Sequence, residues 1–174
     1  MKNRPNWDLY FLAQCFLVNC RSIDPNTECG AILVSKHKRP LAFGYNSPIA
    51  GSIDEEIPLT RPEKYFHMIH SEDNCLLNCY HGPEALEGST MYITGKPCHK
   101  CLRAIIQKGI KRIVYANVQE AACQDEQDEK ASALMLKHHP EVQLIELDVV
   151  DDIIKLYEQR IAYIKSKSKN GAQG

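Results

Sequence analysis

Two short strings in this 174-residue chain contain residue types that do chemistry: His70-Ser-Glu72 and, further on, Pro97-Cys98-His-Lys-Cys101. Together they offer one imidazole, two thiols and one carboxylate. Cys98 and Cys101 stand three residues apart at the expected start of a helix, so both sulfurs can face one point where the helix amides favour thiolate. His70 opens another helix on the same reading. Three such ligands suit Zn2+ and leave its fourth tetrahedral position to water, which is how catalytic sites differ from closed structural ones. Glu72, two residues past the imidazole, is then free to take up and return that water's proton. Either string alone is weak, because H-x-E arises by chance and a lone C-x-x-C also serves as a redox pair or as half of a structural zinc site. Both together, in this order and each at a helix start, favour a catalytic metal site. His99, between the cysteines, is an alternative ligand; its place on the other side of the turn makes a solvated ring the simpler expectation.

The elements that must position these groups emerge from hydrophobic periodicity. Asp8 to Asn19 puts Leu9, Leu12, Ala13, Phe16 and Leu17 on one helical face, and Arg21 to Thr27 breaks that helix, with Pro25 as the stop. Gly30 to Val34 and Leu41 to Tyr45 read as a β-hairpin around the basic turn Lys36 to Pro40. Asn46 to His67 has no period and contains Pro48, Gly51, Pro58 and Pro62, the make-up of a lid or binding loop. Then come a helix from Ser71 to Cys79, a strand from Thr90 to Thr94, a helix from Cys98 to Lys108 and a strand from Arg112 to Tyr115. A helix from Glu126 to His138, a strand from Val142 to Leu147 and a helix from Val150 to Lys165 complete the order. That last helix carries Ile153, Ile154, Tyr157, Ile161 and Ile164 on one face. The order α-β-β-α-β-α-β-α-β-α predicts one α/β domain over residues 1–165, with helices on both faces of a central sheet. Residues 166–174 are expected to form a flexible polar tail.

Composition narrows the class. A formal net charge of −1 and a pI near 6.6 supply no positive field to track a polynucleotide, whereas a few placed cations suffice for a small anion. The start of the chain lacks the pattern of a signal peptide and no apolar run reaches the length of a membrane span, so a cytoplasmic protein is expected. Its eight cysteines then read as metal ligands, catalytic groups or buried thiols, since the cytosol keeps thiols reduced.

H-x-E followed by P-C-x-x-C is the signature of zinc deaminases that act on nucleobases, and the chain resembles the deoxycytidylate deaminases from about Trp7 to Leu147. Arg21-Ser-Ile-Asp-Pro-Asn-Thr-Glu-Cys-Gly-Ala31 is similar to their R-S-x-x-P-x-T-x-V-G-A segment, with Cys29 where valine is usual. Gly44-Tyr-Asn46 matches the start of their G-Y-N-G loop, Glu63-Lys-Tyr65 leads into the histidine, and His70 to Leu76 resembles H-A-E-x-N-A-I. The resemblance implies a three-layer α/β/α cytidine-deaminase-like fold with a central, mostly five-stranded mixed sheet. It implies Zn2+ on His70, Cys98 and Cys101, with Glu72 as the proton-transfer residue in hydrolysis of dCMP to dUMP and ammonia.

Substrate contacts carried over in the same way are Asn46 to the sugar and Arg21 to the 5′ phosphate, with Ser71 beside them. The plainer readings are a turn asparagine and a helix-capping arginine. Tyr115, at the end of its strand, either lines the pocket or packs. Arg61, Lys64 and Arg103 are further phosphate candidates. Cys75 and Cys79, with His67 or His81, could form a second metal site of the kind some viral relatives carry, or be buried thiols, the simpler expectation; Cys15, Cys20, Cys29 and Cys123 have no ligand spacing.

Relatives are commonly hexamers switched by dCTP and dTTP, so a homo-oligomer is expected. Their effector loop reads G-Y-N-G-x-P-x-G; here Ser47 replaces a glycine and Pro48 comes early, so weak or absent activation by dCTP is expected. The alternatives are dCTP as substrate, alone or beside dCMP, or a non-catalytic zinc-binding module. Glu72 speaks against the second, because a structural site needs no such carboxylate.

Overall fold

The computed structural model describes residues 4–116, 118 and 125–170. The main elements are α1 (Trp7–Val18), β1 (Gly30–Val34), β2 (Pro40–Tyr45), β3 (Ser47–Pro48), β4 (Met68–Ile69), α2 (Ser71–Leu77) and α3 (Pro83–Leu86). After them come β5 (Thr90–Ile93), α4 (His99–Gln107), β6 (Arg112–Ala116), α5 (Glu126–His138), β7 (Gln143–Leu147) and α6 (Val150–Asn170). Five strands form one mixed sheet in the order β2-β1-β5-β6-β7. The β1 strand is antiparallel to both β2 and β5, whereas β5, β6 and β7 run parallel. The three-layer fold with a five-stranded mixed sheet is the one expected.

Alternation along the central strands builds two cores, because successive side chains leave a strand on opposite faces. Ala31, Leu33, Met91, Ile93, Ile113 and Tyr115 pack with Cys75 and Leu76 of α2 and with Leu102 and Ile105 of α4. On the other face Ile32, Val34, Tyr92, Val114 and Ala116 pack with Phe11, Leu12, Ala13 and Cys15 of α1 and with Ile153 of α6.

The terminal helices match their expected faces to different degrees. In α1, Leu12 and Ala13 are buried and Leu9 and Phe16 pack on the core as expected, while Leu17 is exposed and Phe11 and Cys15 are buried in addition. That helix is apolar nearly all round, so periodicity could not fix the margins of the inner stripe. In α6, Ile153 is buried and Leu156 and Tyr157 pack on the core, but Ile154, Ile161 and Ile164 are exposed. The helix outruns the sheet beneath it and continues to Asn170, into the segment expected to be a tail; residues 171–174 lie outside the described residues.

The long aperiodic segment is less irregular than its composition implies. Ser47 and Pro48 pair antiparallel with Ile69 and Met68, and 3₁₀ turns cover Asp54–Glu56 and Glu63–Phe66. The small β3-β4 ladder ties the exit of β2 to the entry of α2. Gly44 sets how closely those two approach: a Cβ there would stand 2.3 Å from the Cys75 nitrogen and 2.4 Å from the Ser71 carbonyl oxygen.

Candidate active site

His70 and Cys98 occupy the N-cap positions of α2 and α4, and neither caps its helix through its side chain. Both side chains turn instead towards Cys101, in the first turn of α4. The Nδ1 of His70 lies 3.3 Å from the Cys101 sulfur and 3.6 Å from the Cys98 sulfur. The ligand atoms of all three residues lie within 4.8 Å of one another, and they form the one group able to hold a metal ion among the described residues.

This donor set fits zinc. Tetrahedral Zn2+, with sulfur at about 2.3 Å and nitrogen near 2.05 Å, separates those atoms by about 3.6 Å. Electrostatics agree, because the two thiols face each other closely enough to share a proton. The hydrogen bond from Cys101 pulls Cys98 down to about 3. The same bond, with burial, pushes Cys101 far up. A pair that holds one thiolate beside one hindered thiol, at the positive end of α4, is completed by a cation that takes the place of the remaining proton.

Glu72 lies in the first turn of α2 and is 5% exposed. Burial holds its carboxyl above the ordinary range despite the opposing charge of His70. Ser71 donates a 2.9 Å hydrogen bond to its Oε2, so Ser71 orients the carboxylate. Ser71 also lines the cavity, as a substrate contact would.

His70, Ser71, Glu72 and Cys98 form the floor of a cavity of about 350 Å³, with Cys101 buried behind them. The cavity lies along one edge of the sheet, where β1 begins and where β2 and β5 end; ligand sites in α/β folds favour such strand ends. One wall is the loop from Asp24 to Cys29, and it is strongly braced. Asp24 Oδ1 accepts from the backbone of Asn26 at 3.0 Å and Thr27 at 3.3 Å, while Oδ2 receives Lys64 Nζ at 2.6 Å. Both side chains of that ion pair are 4% exposed.

Asn46 closes the loop from the other side. Its Nδ2 donates to the Thr27 carbonyl at 2.7 Å and its Oδ1 accepts from the Cys29 N–H at 2.7 Å. The carboxamide lines the cavity with its plane fixed, one N–H and one lone pair remaining for a ligand.

The other sequence candidates are dispersed. Arg21 is exposed on the 3₁₀ turn that succeeds α1 and does not line the cavity. Tyr115 is a packing residue: it is buried in the core under the sheet, and its hydroxyl donates to Glu146 Oε2 at 2.9 Å. Arg61 and Lys64 line the cavity, and Arg103 does not. His99 is neither ligand nor freely solvated, since its partly buried ring pairs with Asp128 of α5. Cys75 is buried, its thiol pushed up to about 12 by burial, and it belongs to no metal-ligating group among the described residues. Cys123 lies outside the described residues.

Asp24 and Lys96 are wall residues that sequence reasoning left without a role. Asp24 carries one local signal, Asp-Pro-Asn-Thr being an Asx-turn string. Its pairing with Lys64, 40 positions on, carries none.

A five-stranded mixed sheet between helical layers, with an imidazole and two cysteines gathered at the helix starts over one sheet edge, defines a zinc-deaminase class of protein. The chain belongs to the family of the cytidine and deoxycytidylate deaminase zinc-binding region, which it matches over residues 5–117. The ComE operon protein 2 of Bacillus subtilis is 38% identical over 115 residues, which cover 65% of this chain and 60% of that protein. The chain therefore spans about three fifths of that relative's length. A probable deoxycytidylate deaminase of Drosophila melanogaster is 31% identical over 162 residues, 82% of this chain and 77% of that one. Among solved structures, the apo dCMP deaminase of cyanophage S-TIM5 shares the fold, with a TM-score of 0.60 over 83% of this chain and all of that one at 23% identity.

Proposed function

We propose that this chain is a zinc-dependent deaminase of a free deoxycytidine nucleotide, converting dCMP and water to dUMP and ammonia. The observation that carries this reading is the His70, Cys98 and Cys101 cluster lying beside the buried Glu72 carboxyl, at the floor of a cavity of about 350 Å³. The Drosophila relative's name supports the substrate. His70, Cys98 and Cys101 would hold the metal, Glu72 would move protons, and Asn46 would meet the sugar. Ser71 keeps the carboxylate aimed, and a single deaminase domain covers residues 1–165.

Zinc in that donor set supplies Lewis acidity that brings a water proton within reach of a carboxylate at neutral pH. Glu72 accepts that proton as the water oxygen bonds to C4 of the cytosine ring, and delivers it to N3. The second water proton passes through the same carboxylate to the amino group, which leaves as ammonia, and the oxygen stays on C4. Burial suits this relay, because a carboxyl raised above its ordinary range takes a proton more readily than a free one and still returns it.

No helix among the described residues is long and apolar enough to cross a membrane. A cytoplasmic location and assembly into a homo-oligomer, a hexamer by family resemblance, belong to the same reading. So does weak or absent activation by dCTP. Ser47 Oγ accepts from Asn74 Nδ2 at 3.3 Å and Pro48 pairs with Met68, so the loop that would cradle an effector is tied to α2 and β4.

The test is ammonia release from purified protein given deoxycytidine, dCMP, dCTP, CMP and single-stranded DNA in parallel. The expected result is the highest kcat/KM for dCMP. A preference for dCTP would lengthen the phosphate chain of the substrate, and release from none of the five would overturn the reading.

A further inference from the structure

We infer that Arg61 is the group that reads the substrate's phosphate in this chain, in place of Arg21. The inference rests on the nucleotide reading above and deepens it. Among the described residues three cations line the cavity: Arg61, Lys64 and Lys96. Two of them have their charge already matched. Lys64 is buried against Asp24 at 2.6 Å, and Lys96 holds both carboxylate oxygens of Glu129 at 2.7 and 2.8 Å. Arg61 has no carboxylate within ion-pair distance among the described residues, and the contact its guanidinium makes is with the face of Tyr65, 5.9 Å from the ring centroid.

Position agrees with charge. Arg61 is exposed, whereas Glu72 and the cysteines at the floor are buried, so the free cation stands at the outer part of the same cavity. A nucleotide that places its base at the floor directs its phosphate outward. Glu28 also lines the cavity and has no ion-pair partner among the described residues, so it repels an anion placed beside it and Arg61 is left as the cation for phosphate.

The guanidinium is also held at its base. The Lys64 N–H donates to the Thr60 carbonyl at 2.9 Å, the Tyr65 N–H donates to the Pro62 carbonyl at 3.1 Å, and the Lys64–Asp24 pair anchors the turn directly after Arg61. A planar fork of donors on a fixed turn matches phosphate geometry. Arg21, by contrast, is exposed outside the cavity lining.

The experiment compares kcat/KM for dCMP with kcat/KM for deoxycytidine in zinc-loaded wild type, Arg61→Ala, Arg61→Lys and Arg21→Ala. Affinities for dUMP and deoxyuridine, measured by calorimetry, give the same ratio without turnover. Loss of a charge-assisted fork is expected to lower the nucleotide-to-nucleoside ratio roughly ten- to hundredfold in Arg61→Ala. Arg61→Lys should recover part of it, because it keeps the charge and loses the fork. A high wild-type ratio that Arg61→Ala leaves intact, or one that collapses in Arg21→Ala instead, overturns the assignment to Arg61 alone. A wild-type ratio near one overturns the nucleotide reading itself, and this assignment with it.

Discussion

At and just behind the floor of the cavity four side chains with chemical capacity stand at or within one turn of helix starts, and the ligand atoms of three of them, His70, Cys98 and Cys101, lie within 4.8 Å of one another. Along the wall, Asp24, Lys64 and Asn46 come from loops as much as 40 residues apart and spend most of their polar atoms on the protein itself. The floor gathers metal-ligating groups around one point, an arrangement suited to a cation. The wall is a set of groups the fold has satisfied, which holds a surface still. Chemistry needs the first kind of region and recognition needs the second, so substitutions in the two should fail differently.

The largest effects belong to the floor. Cys101→Ala, by removing one of three ligands, should reduce zinc from about one ion per chain to little or none, measured by metal analysis after dialysis. Glu72→Gln should keep that zinc and lower turnover about 10³-fold, a loss near 4 kcal/mol, because only the proton carrier is gone. If Glu72→Gln retained most of its rate, the role given to Glu72 would be wrong.

The wall should fail through stability with its zinc retained. Lys64→Met leaves the Asp24 carboxylate buried and unpaired, and removing one partner from such a pair costs about 3–5 kcal/mol. The double variant Asp24→Asn with Lys64→Met should cost clearly less than the two single losses added together, read from urea unfolding. Strict additivity would mean that the pair acts as two separate side chains, and the contrast between floor and wall would lose its basis.

Gly44 joins the two regions, and its substitution should fall between them. A methyl group there meets the backbone of α2, so Gly44→Ala must move the helix that carries Glu72. Overpacking of this kind costs about 1–3 kcal/mol, and here turnover should fall along with the melting temperature. Gly82→Ala is the control: no atom lies within 4 Å of the added methyl, and its effect should stay within about 0.5 kcal/mol. An active, fully stable Gly44→Ala would mean that α2 has room to spare.

The same contrast explains what the sequence could reveal. His70, Glu72, Cys98 and Cys101 lie in two short strings, and a ligand set at helical spacing is local information. The order of elements along the chain was legible because short apolar runs such as Gly30 to Val34 and Arg112 to Tyr115 alternate with segments of helical period. The inner face of α1 was legible in Leu9, Leu12, Ala13 and Phe16 but not at its margins, Phe11, Cys15 and Leu17, since an almost wholly apolar helix gives a period little contrast. Nor was the surface α6 leaves bare, which depends on where the sheet ends. That Tyr115 packs and does not line the pocket turned on its place in the core and on a distant partner, Glu146. Among four arginine and lysine candidates for phosphate, sequence had no means of discounting one neutralised by Asp24.

A third polar cluster gives the smallest effect and tests whether pairing alone makes a wall. Asp8, in the first turn of α1, accepts from Arg112 at 3.0 and 2.8 Å and from the Tyr92 hydroxyl at 2.7 Å. Burial pushes the Asp8 carboxyl up, but the hydrogen bonds from Arg112 and Tyr92 and the charge of Arg112 outweigh it and hold the group below its ordinary value. A carboxyl depressed in the folded state adds stability that is complete above its unfolded pKa near 4 and is lost as pH falls through the lower folded value. Unlike the Asp24–Lys64 pair, this one is about a third exposed, with side chains 28% and 31% accessible, so water and salt screen it. Asp8→Asn should therefore cost only about 1 kcal/mol at pH 7 in urea unfolding. The gap between variant and wild type should shrink as pH drops from about 5 towards 3, and raising salt at pH 7 should shrink it too. None of the three residues lines the cavity, so the KM for dCMP should hold. A gap that stays constant from pH 7 to pH 3 would mean that Asp8 stabilises α1 through packing, with its charge irrelevant.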